Sequence, residues 1–167
     1  EPMDEWIATH CVDFYNDVTL LYEMCIDDAA RFGEPGEGFP PDCEYRWADP
    51  KAKKTIRVSG PVYVNHVLNW IEETTTDTSI FPVDEGKPFG KNFHEVANKI
   101  FARIFRVYAI MYHCHFEVFQ SQDAVSHLNT SLKHLIFFST CHGMIDEKEY
   151  KALAEPVDRL ISQYESM

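Results

Sequence analysis

The chain has 167 residues, of which 45% are hydrophobic and 25% are charged, a composition typical of one globular domain. No apolar run approaches the ~20 residues that a membrane-spanning helix needs, and the start of the chain lacks the pattern of a signal peptide. We expect a single domain over residues 1–167. Because the sequence begins on Glu1 without an initiator methionine, we also expect further residues upstream.

Acidic residues are concentrated in the first third of the chain. Residues 1–50 hold 13 Asp and Glu but only Arg31 and Arg46, so −11 of the total net charge of −12 lies there. Such a field repels nucleic acids and anionic lipids, and it attracts a basic partner within about 8 Å at physiological salt. The alternative is that these acids only solvate a helix face. We expect neither nucleic-acid binding nor membrane insertion.

The cysteines argue against a disulfide framework, because their number is odd and their positions are scattered. No C-x-x-C pair occurs, so a ribbon-type zinc site is poorly supported as well. A reducing compartment such as the cytoplasm fits this pattern better. The cysteines are Cys11, Cys25, Cys43, Cys114 and Cys141.

The first predicted element is a long helix from residue 4 to about residue 28. Its apolar residues recur at alternating steps of four and three, the spacing of one buried stripe. The stripe consists of Ile7, Cys11, Phe14, Val18, Leu21 and Cys25. Asp13, Asp17 and Glu23 lie beside the stripe, where they can face water or a partner. Three glycines and three prolines within residues 33–41 then predict a loop.

A small β-hairpin is predicted next. Residues 43–47 and 55–58 have β-type composition, and a turn-prone basic segment joins them. Pro61 then stands at the start of a helix, where its missing N–H group costs nothing. The threonines at 74–76 end this helix, and the prolines and glycines of residues 77–91 predict a second loop.

Three more helical segments are predicted in the rest of the chain. The longest runs from about residue 92 to 120, and the next runs from about 123 to 141 and stops at Gly143. Asp146 and Glu149 resemble the capping box of a last helix. The predicted architecture is a mostly α-helical bundle with a small β-hairpin and long ordered loops.

Three basic side chains of the longest predicted helix form what we call the cationic strip. Lys99, Arg103 and Arg106 are spaced i, i+4 and i+7, so they fall within an arc of about 60°. No Asp or Glu occurs between Val96 and Phe116, so we expect that sequence neighbours cannot neutralise the strip. The strip is either a solvated helix face or a site for an anion such as a phosphopeptide.

Metal and catalytic motifs are weak or missing. His113 and His115 lie about 200° apart on a helix, so they cannot share a zinc ion, which needs four converging ligands, unless the helix breaks there. This spacing favours core histidines over a metal site. The sequence contains no G-x-S-x-G, P-loop, G-x-G-x-x-G or kinase catalytic-loop motif. Nothing in the residues supports an enzyme.

Several strings together resemble the Mob (Mps one binder) family of kinase activators, in family order and over nearly the whole chain. The strings are Asp4-Glu5-Trp6-Ile7-Ala8, Val12-Asp13-Phe14, Glu44-Tyr45-Arg46-Trp47-Ala48-Asp49, Phe81-Pro82, Pro88-Phe89, Lys91-Asn92-Phe93, Phe105-Arg106-Val107-Tyr108-Ala109, His127-Leu128-Asn129-Thr130-Ser131, Lys133-His134 and Ile136-Phe137-Phe138. They are most similar to the branch that activates NDR/LATS-class kinases. The resemblance implies a helical bundle with a small hairpin and no catalytic activity of its own.

The resemblance also implies two binding surfaces. The first would hold the basic, helical N-terminal regulatory segment of an NDR/LATS-class kinase on Glu1, Glu5, Trp6, Asp13 and His134. A basic kinase segment would meet the −11 field of the first third, so charge and resemblance agree. We expect binding to order the kinase segment and to favour the active kinase.

The second surface in the family accepts phosphorylated peptides from an upstream Hippo/MST-like kinase through three basic residues. Two of these positions are Arg103 and Arg106 here, but the third is Ala102. Lys99 shares the arc of the two arginines and is the candidate replacement. The loss of one charge-assisted contact, worth about 1.5–3 kcal/mol, would weaken or redirect this interaction.

The zinc ligands of many family members do not carry over to this chain. The positions that match two cysteines and two histidines of the family are Ala29, Glu34, Ile110 and His115. Because alanine and isoleucine cannot bind a metal, we predict no zinc and no other cofactor. A displaced site using Cys25, Cys43 or His113 would need a different loop path. We expect apolar packing of the alanine and the isoleucine against Phe32 or Phe39 to replace the zinc.

The sequence therefore predicts a non-catalytic adaptor that activates an NDR/LATS-class kinase. The first alternative is a phosphopeptide-binding scaffold for an upstream Hippo/MST-like kinase, and the second is a metal-dependent protein. The resemblance implies a monomer in the cytoplasm, with the nucleus and spindle-pole or division structures as alternative locations.

Overall fold

The computed structural model describes residues 2–41, 43–49, 54–84 and 87–143. The mostly α-helical prediction with a small hairpin is confirmed in those residues. The elements are α1 (Pro2–Glu23), α2 (Ile26–Ala29), β1 (Trp47–Asp49), β2 (Lys54–Ile56), α3 (Gly60–Thr75), α4 (Phe93–Cys114), α5 (Phe116–Ser121) and α6 (Val125–His142). The predicted last helix, with its capping box at Asp146 and Glu149, lies outside the described residues.

Helix α4 is the centre of the bundle, and α1, α3, α5 and α6 all pack against it. Eleven of its residues are buried, among them the five consecutive residues from Val107 to Met111. A helix with five consecutive buried residues is covered on all sides. None of the helices in the described parts of the chain is long and apolar enough to cross a membrane.

Helix α1 has the predicted buried stripe, but it ends earlier than predicted. All six apolar residues of the stripe are buried. The amides of Met24 and Cys25 bond to carbonyls only three residues back, on Leu21 and Tyr22. This tightening ends α1 at Glu23, and α2 begins at Ile26. The single helix predicted to residue 28 is therefore two helices, and Cys25 stays buried across the break.

The longest predicted helix is also divided in two. Helix α4 ends at Cys114, because His115 leaves helical geometry with φ −130° and ψ 14°. Helix α5 then begins at Phe116. The pattern of buried positions continues through this break, because the side chain of His115 is buried as well. The sequence therefore gives no sign of the break.

The hairpin lies beside α3, and its strands are shorter than predicted and closer to the turn. Strand β1 shares only Trp47 with the predicted run 43–47, and β2 covers Lys54–Ile56 instead of 55–58. Strands β1 and β2 are antiparallel, with Trp47 opposite Ile56. The loop that precedes them is fixed to α3 by close contact between two backbones, because a Cβ atom on Gly60 would lie 2.1 Å from the carbonyl oxygen of Gly38. Ser59 caps α3 as its side chain accepts a hydrogen bond from the amide of Val62.

The predicted stop of α6 is confirmed. Gly143 follows the helix with φ 61°, a left-handed conformation that glycine adopts without steric cost.

Candidate functional site

A groove of about 720 Å³ runs between α1 and α6, and we call it the α1–α6 groove. Helix α1 contributes Trp6, His10, Asp13, Phe14, Asp17 and Leu20. Helix α6 contributes His134, Phe137, Phe138, Cys141 and His142. The structure thus brings together three of the five residues predicted to bind a kinase: Trp6, Asp13 and His134. Glu5 is exposed on α1 but does not line the groove, and Glu1 lies outside the described residues.

One end of the groove is aromatic. The ring of His10 lies between Trp6, at 4.2 Å between centroids, and Phe138, on which it stacks at 4.3 Å. The His142 ring follows at 4.5 Å from Phe138. Trp6 is 52% exposed and Phe137 is 43% exposed. Large exposed apolar side chains beside a groove are typical of a protein-binding surface.

The other end of the groove is acidic and carries Asp13 and Asp17. Asp13 is exposed, whereas the carboxylate of Asp17 accepts a hydrogen bond from the hydroxyl of Ser131 on α6. The second oxygen of Asp17 lies 3.3 Å from Nε2 of His127. No Lys or Arg is among the described residues that line the groove. The groove therefore suits a ligand that carries positive charge.

His10 and Asp17 are not among the five predicted kinase-binding residues, although the sequence carries a signal for both. On α1, a second stripe runs beside the buried one, again at alternating steps of four and three. Its members are Trp6, His10, Asp13, Asp17 and Leu20. A stripe of mixed aromatic and acidic residues next to a buried stripe predicts a face that borders a groove. Which helix forms the opposite wall depends on long-range packing, and that was not readable from α1.

Not all acids of the first third face the groove. Glu44 pairs with Arg57 at 2.9 Å, and Asp4 pairs with His94 on α4 at 3.0 Å. Asp28 pairs with Arg31 at 3.1 Å. The −11 charge of residues 1–50 already counts Arg31, so among these pairs only Glu44 with Arg57 brings in a Lys or Arg from another part of the chain. Asp4, Asp28 and Glu44 do not line the groove, so only part of the charge is available to a ligand there.

The cationic strip is covered by aromatic rings. The guanidinium of Arg103 lies 4.7 Å from the Trp47 ring and 4.3 Å from the Trp70 ring. Arg106 donates a hydrogen bond to the hydroxyl of Tyr63 at 3.1 Å, and its guanidinium lies 5.2 Å from the Tyr45 ring. Burial lowers the pKa of Arg103, but an arginine stays charged in a folded protein. Each arginine already has partners within the fold.

Lys99 differs from the two arginines. Its ammonium lies 3.6 Å from the carboxylate of Glu95, one turn earlier on α4, and its side chain is exposed. The expectation that sequence neighbours cannot neutralise the strip is therefore wrong at Lys99, because its i−4 partner lies just outside the window from Val96 to Phe116. An exposed pair of this kind contributes little free energy, so Lys99 can still exchange its partner.

The positions that match the zinc ligands of the family do not fit a zinc ion. Ala29 and Ile110 are buried and have no metal-binding atom, and Glu34 is exposed on the loop. At most the carboxylate of Glu34 and the imidazole of His115 could bind a metal, and two ligands do not make a structural zinc site. In the described residues, no three His, Cys, Asp or Glu side chains converge as metal ligands would, so the displaced alternatives at Cys25, Cys43 and His113 gain no support.

A polar bridge of Asp28, Arg31 and His115 joins the region of α2 to the end of α4. Nδ1 of His115 lies 2.7 Å from Oδ2 of Asp28, and Arg31 donates a hydrogen bond to the carbonyl of Cys114 at 2.6 Å. Burial lowers the pKa of His115, so the ring is neutral near pH 7 and Nδ1 donates to the carboxylate. Nε2 is then a buried acceptor without a hydrogen-bond donor in the described residues.

Phe32 and Phe39, against which we expect Ala29 and Ile110 to pack, both contact other aromatic rings. Phe32 lies edge-on to His115, at 5.8 Å between centroids, and also lies under the guanidinium of Arg31. Phe39 packs against Tyr45 and Tyr63. The packing of Ala29 and Ile110 against Phe32 or Phe39 stays a prediction, and Phe32 packs beside the polar bridge.

The helical bundle, its side hairpin and the exposed groove define a protein-binding domain. Comparison with known proteins identifies its family. Residues 1–153 match the Mob1/phocein family, and the chain belongs to that family. It is 44% identical to the protein named MOB kinase activator-like 1A of Arabidopsis thaliana, over 98% of this chain and 77% of the relative.

Two further relatives come from distant organisms. The maintenance of ploidy protein mob1 of Schizosaccharomyces pombe is 38% identical over 96% of this chain and 77% of its own length. MOB kinase activator-like 1 homolog A of Dictyostelium discoideum is 40% identical over 96% of this chain and 76% of its own length. The chain thus spans about three quarters of the length of these relatives.

Proposed function

We propose that this protein is a non-catalytic adaptor that binds the basic N-terminal regulatory segment of an NDR/LATS-class protein kinase and favours the active kinase. Membership in a family whose relatives are named kinase activators supports the general role. The observation that carries the binding site is the α1–α6 groove, with exposed Trp6 at one end and Asp13 towards the other.

The groove chemistry matches a helical, basic peptide. Apolar side chains of an amphipathic helix would cover the aromatic end, and lysines or arginines would meet the acidic end. Glu5 and Glu1 would add negative charge along α1, where the basic peptide approaches the groove. By binding only one conformation of the kinase segment, the adaptor shifts the kinase towards the active state without a covalent step of its own.

Calorimetry with a synthetic kinase segment tests this proposal. We expect the wild type to bind it, the affinity to fall as salt rises, and Asp13→Lys to lose most of the binding. The control is Lys99→Glu, which reverses a charge on α4 outside the groove. It should bind normally. Equal affinity of wild type and Asp13→Lys would remove the proposal.

A second candidate function is a phosphopeptide-binding scaffold for an upstream Hippo/MST-like kinase. The observation that favours it is the pair Arg103 and Arg106, whose guanidinium groups are held in place by rings and can present donors to a phosphate. Lys99 would replace the base missing at Ala102. A phosphothreonine peptide that binds no better than its unphosphorylated form would remove this candidate.

We also propose that the protein acts without a metal, as a monomer, in the cytoplasm or at the nucleus and division structures. The buried Ala29 and Ile110 support the first part, because they supply no ligand. Zinc that co-purifies in stoichiometric amount would instead favour the metal-dependent alternative.

A further inference from the structure

We infer that Asp17 is the residue of the α1–α6 groove that anchors a cationic side chain of the bound helix, and that Ser131 positions its carboxylate. The inference rests on the proposed function and adds a contact to Glu1, Glu5, Trp6, Asp13 and His134. It follows from a chain of hydrogen bonds that crosses from α4 through α6 to α1.

The chain begins at Tyr108, in the core of α4. Burial raises the pKa of Tyr108, so its hydroxyl keeps its proton. Ser131 has one hydroxyl hydrogen and gives it to Oδ2 of Asp17, so the hydrogen of Tyr108 points to Ser131. The other oxygen of Asp17 lies 3.3 Å from Nε2 of His127. Two side chains of α6 thus hold the Asp17 carboxylate.

A carboxylate held in this way is a better anchor than a free one. Asp13 is exposed, so it must lose side-chain freedom when it pairs with a ligand. Asp17 has already lost that freedom in the fold, and its side chain is only 33% exposed. Partial burial strengthens an ion pair because less water screens it. Each oxygen of Asp17 also keeps a lone pair that can accept a further hydrogen bond.

The position of Asp17 also sets the spacing of the contact residues on the bound helix. Asp17 lies eleven residues after Trp6 on α1, a separation of about 16 Å along the helix axis. A bound helix of matching length would place its lysine or arginine at Asp17 and its apolar side chains at Trp6. The occupant is therefore a peptide helix with a base about three turns away from its apolar residues.

Calorimetry with the synthetic N-terminal segment of an NDR-class kinase tests the anchor. We expect Asp17→Asn, which keeps the shape of the side chain, to weaken binding about tenfold. Glu23→Gln is the matched control, because it removes one charge from the exposed end of α1 outside the groove. It should change the affinity less than twofold. An equal loss in both variants would show a general charge effect and overturn the inference.

A double-mutant cycle tests the positioning role of Ser131. We expect Ser131→Ala to weaken binding several-fold in the wild type but to have no effect in the Asp17→Asn background. The same loss in both backgrounds would show that Ser131 acts only on the fold, and it would overturn this part of the inference. Thermal melting of each variant confirms that the compared proteins are folded.

The outcomes separate this inference from the proposed function. Failure of the wild type to bind the segment would overturn both. Normal binding by Asp17→Asn, with wild-type binding intact, would overturn the inference about Asp17 alone. A tenfold loss in Asp17→Asn together with normal binding by Glu23→Gln supports it.

Discussion

The α1–α6 groove and the cationic strip both combine charged side chains with aromatic rings, but they present the charge in opposite ways. In the groove, Trp6 and Asp13 are exposed on one helix. In the strip, the rings of Trp47 and Trp70 both lie within 5 Å of the Arg103 guanidinium. The groove offers its charge to a partner, whereas much of the charge of the strip already stabilises the fold.

Spacing on a helix thus shows which residues share a face, but not what else covers that face. Lys99, Arg103 and Arg106 do share a strip of α4, as their spacing predicts. The aromatic residues that cover the arginines come from β1 and α3 and from the loop before them, which are distant in sequence. A row of charges therefore becomes a candidate binding site only after tertiary contacts have been considered.

The largest expected effect concerns the exposed ring of the groove. We expect Trp6→Ala to weaken binding of the kinase segment about 30-fold or more, because exposed tryptophans that become buried in an interface often contribute at least ~2 kcal/mol. Thermal stability should change little, because Trp6 is half exposed in the free protein. Calorimetry and thermal melting measure the two quantities.

Val62→Ala is the control for this variant, because Val62 is another exposed apolar residue but lies on α3, outside the groove. It should bind the kinase segment normally. If Trp6→Ala bound as tightly as the wild type, the aromatic end would not belong to the binding surface, and the contrast between groove and strip would lose its functional meaning.

A smaller effect is expected in the cationic strip, and on stability rather than on kinase binding. Arg103→Ala should lower the free energy of unfolding by about 1–3 kcal/mol, because it removes two cation–π contacts and the packing of the side-chain stem. Lys99→Ala, which removes only an exposed pair with Glu95, should change it by less than about 0.5 kcal/mol. Urea denaturation measures both, and equal losses would contradict the contrast between them.

The helices could be predicted from the sequence where local patterns decide them. The stripe of α1, the start of α3 at Pro61 and the stop at Gly143 each depend on residues within a few positions of one another, and all three are confirmed. The break at His115 could not be predicted, because its side chain is held by Asp28, 87 positions away. The apolar pattern continues on both sides of that break.

The candidate site was predictable in part for the same reason. The resemblance to the family predicts Trp6, Asp13 and His134 as binding residues, and the structure places all three at one groove. Asp17 acquires its place from Ser131, 114 positions later, and such a contact has no signature in the local sequence. The rings over Arg103 likewise come from other elements, so the sequence left open whether the strip is free or covered.

The smallest expected effect lies at the polar bridge between α2 and the end of α4. Asp28→Ala should lower the free energy of unfolding by about 1 kcal/mol, because it removes hydrogen bonds with His115 and Arg31 that are partly exposed to water. Asp27→Ala, at the exposed neighbouring position, is the control and should have no measurable effect. Urea denaturation again measures the difference.

Metal removal separates the polar bridge from a zinc site. Treatment with a zinc chelator should leave the unfolding midpoint of the wild type unchanged, because Ala29 and Ile110 supply no ligand and Asp28 connects to His115 directly. A structural zinc ion contributes far more folding free energy than one such hydrogen bond, so a bound ion would produce a large drop in the midpoint. Such a drop would contradict the prediction that the protein holds no zinc, whereas an unchanged midpoint together with a loss in Asp28→Ala would support it.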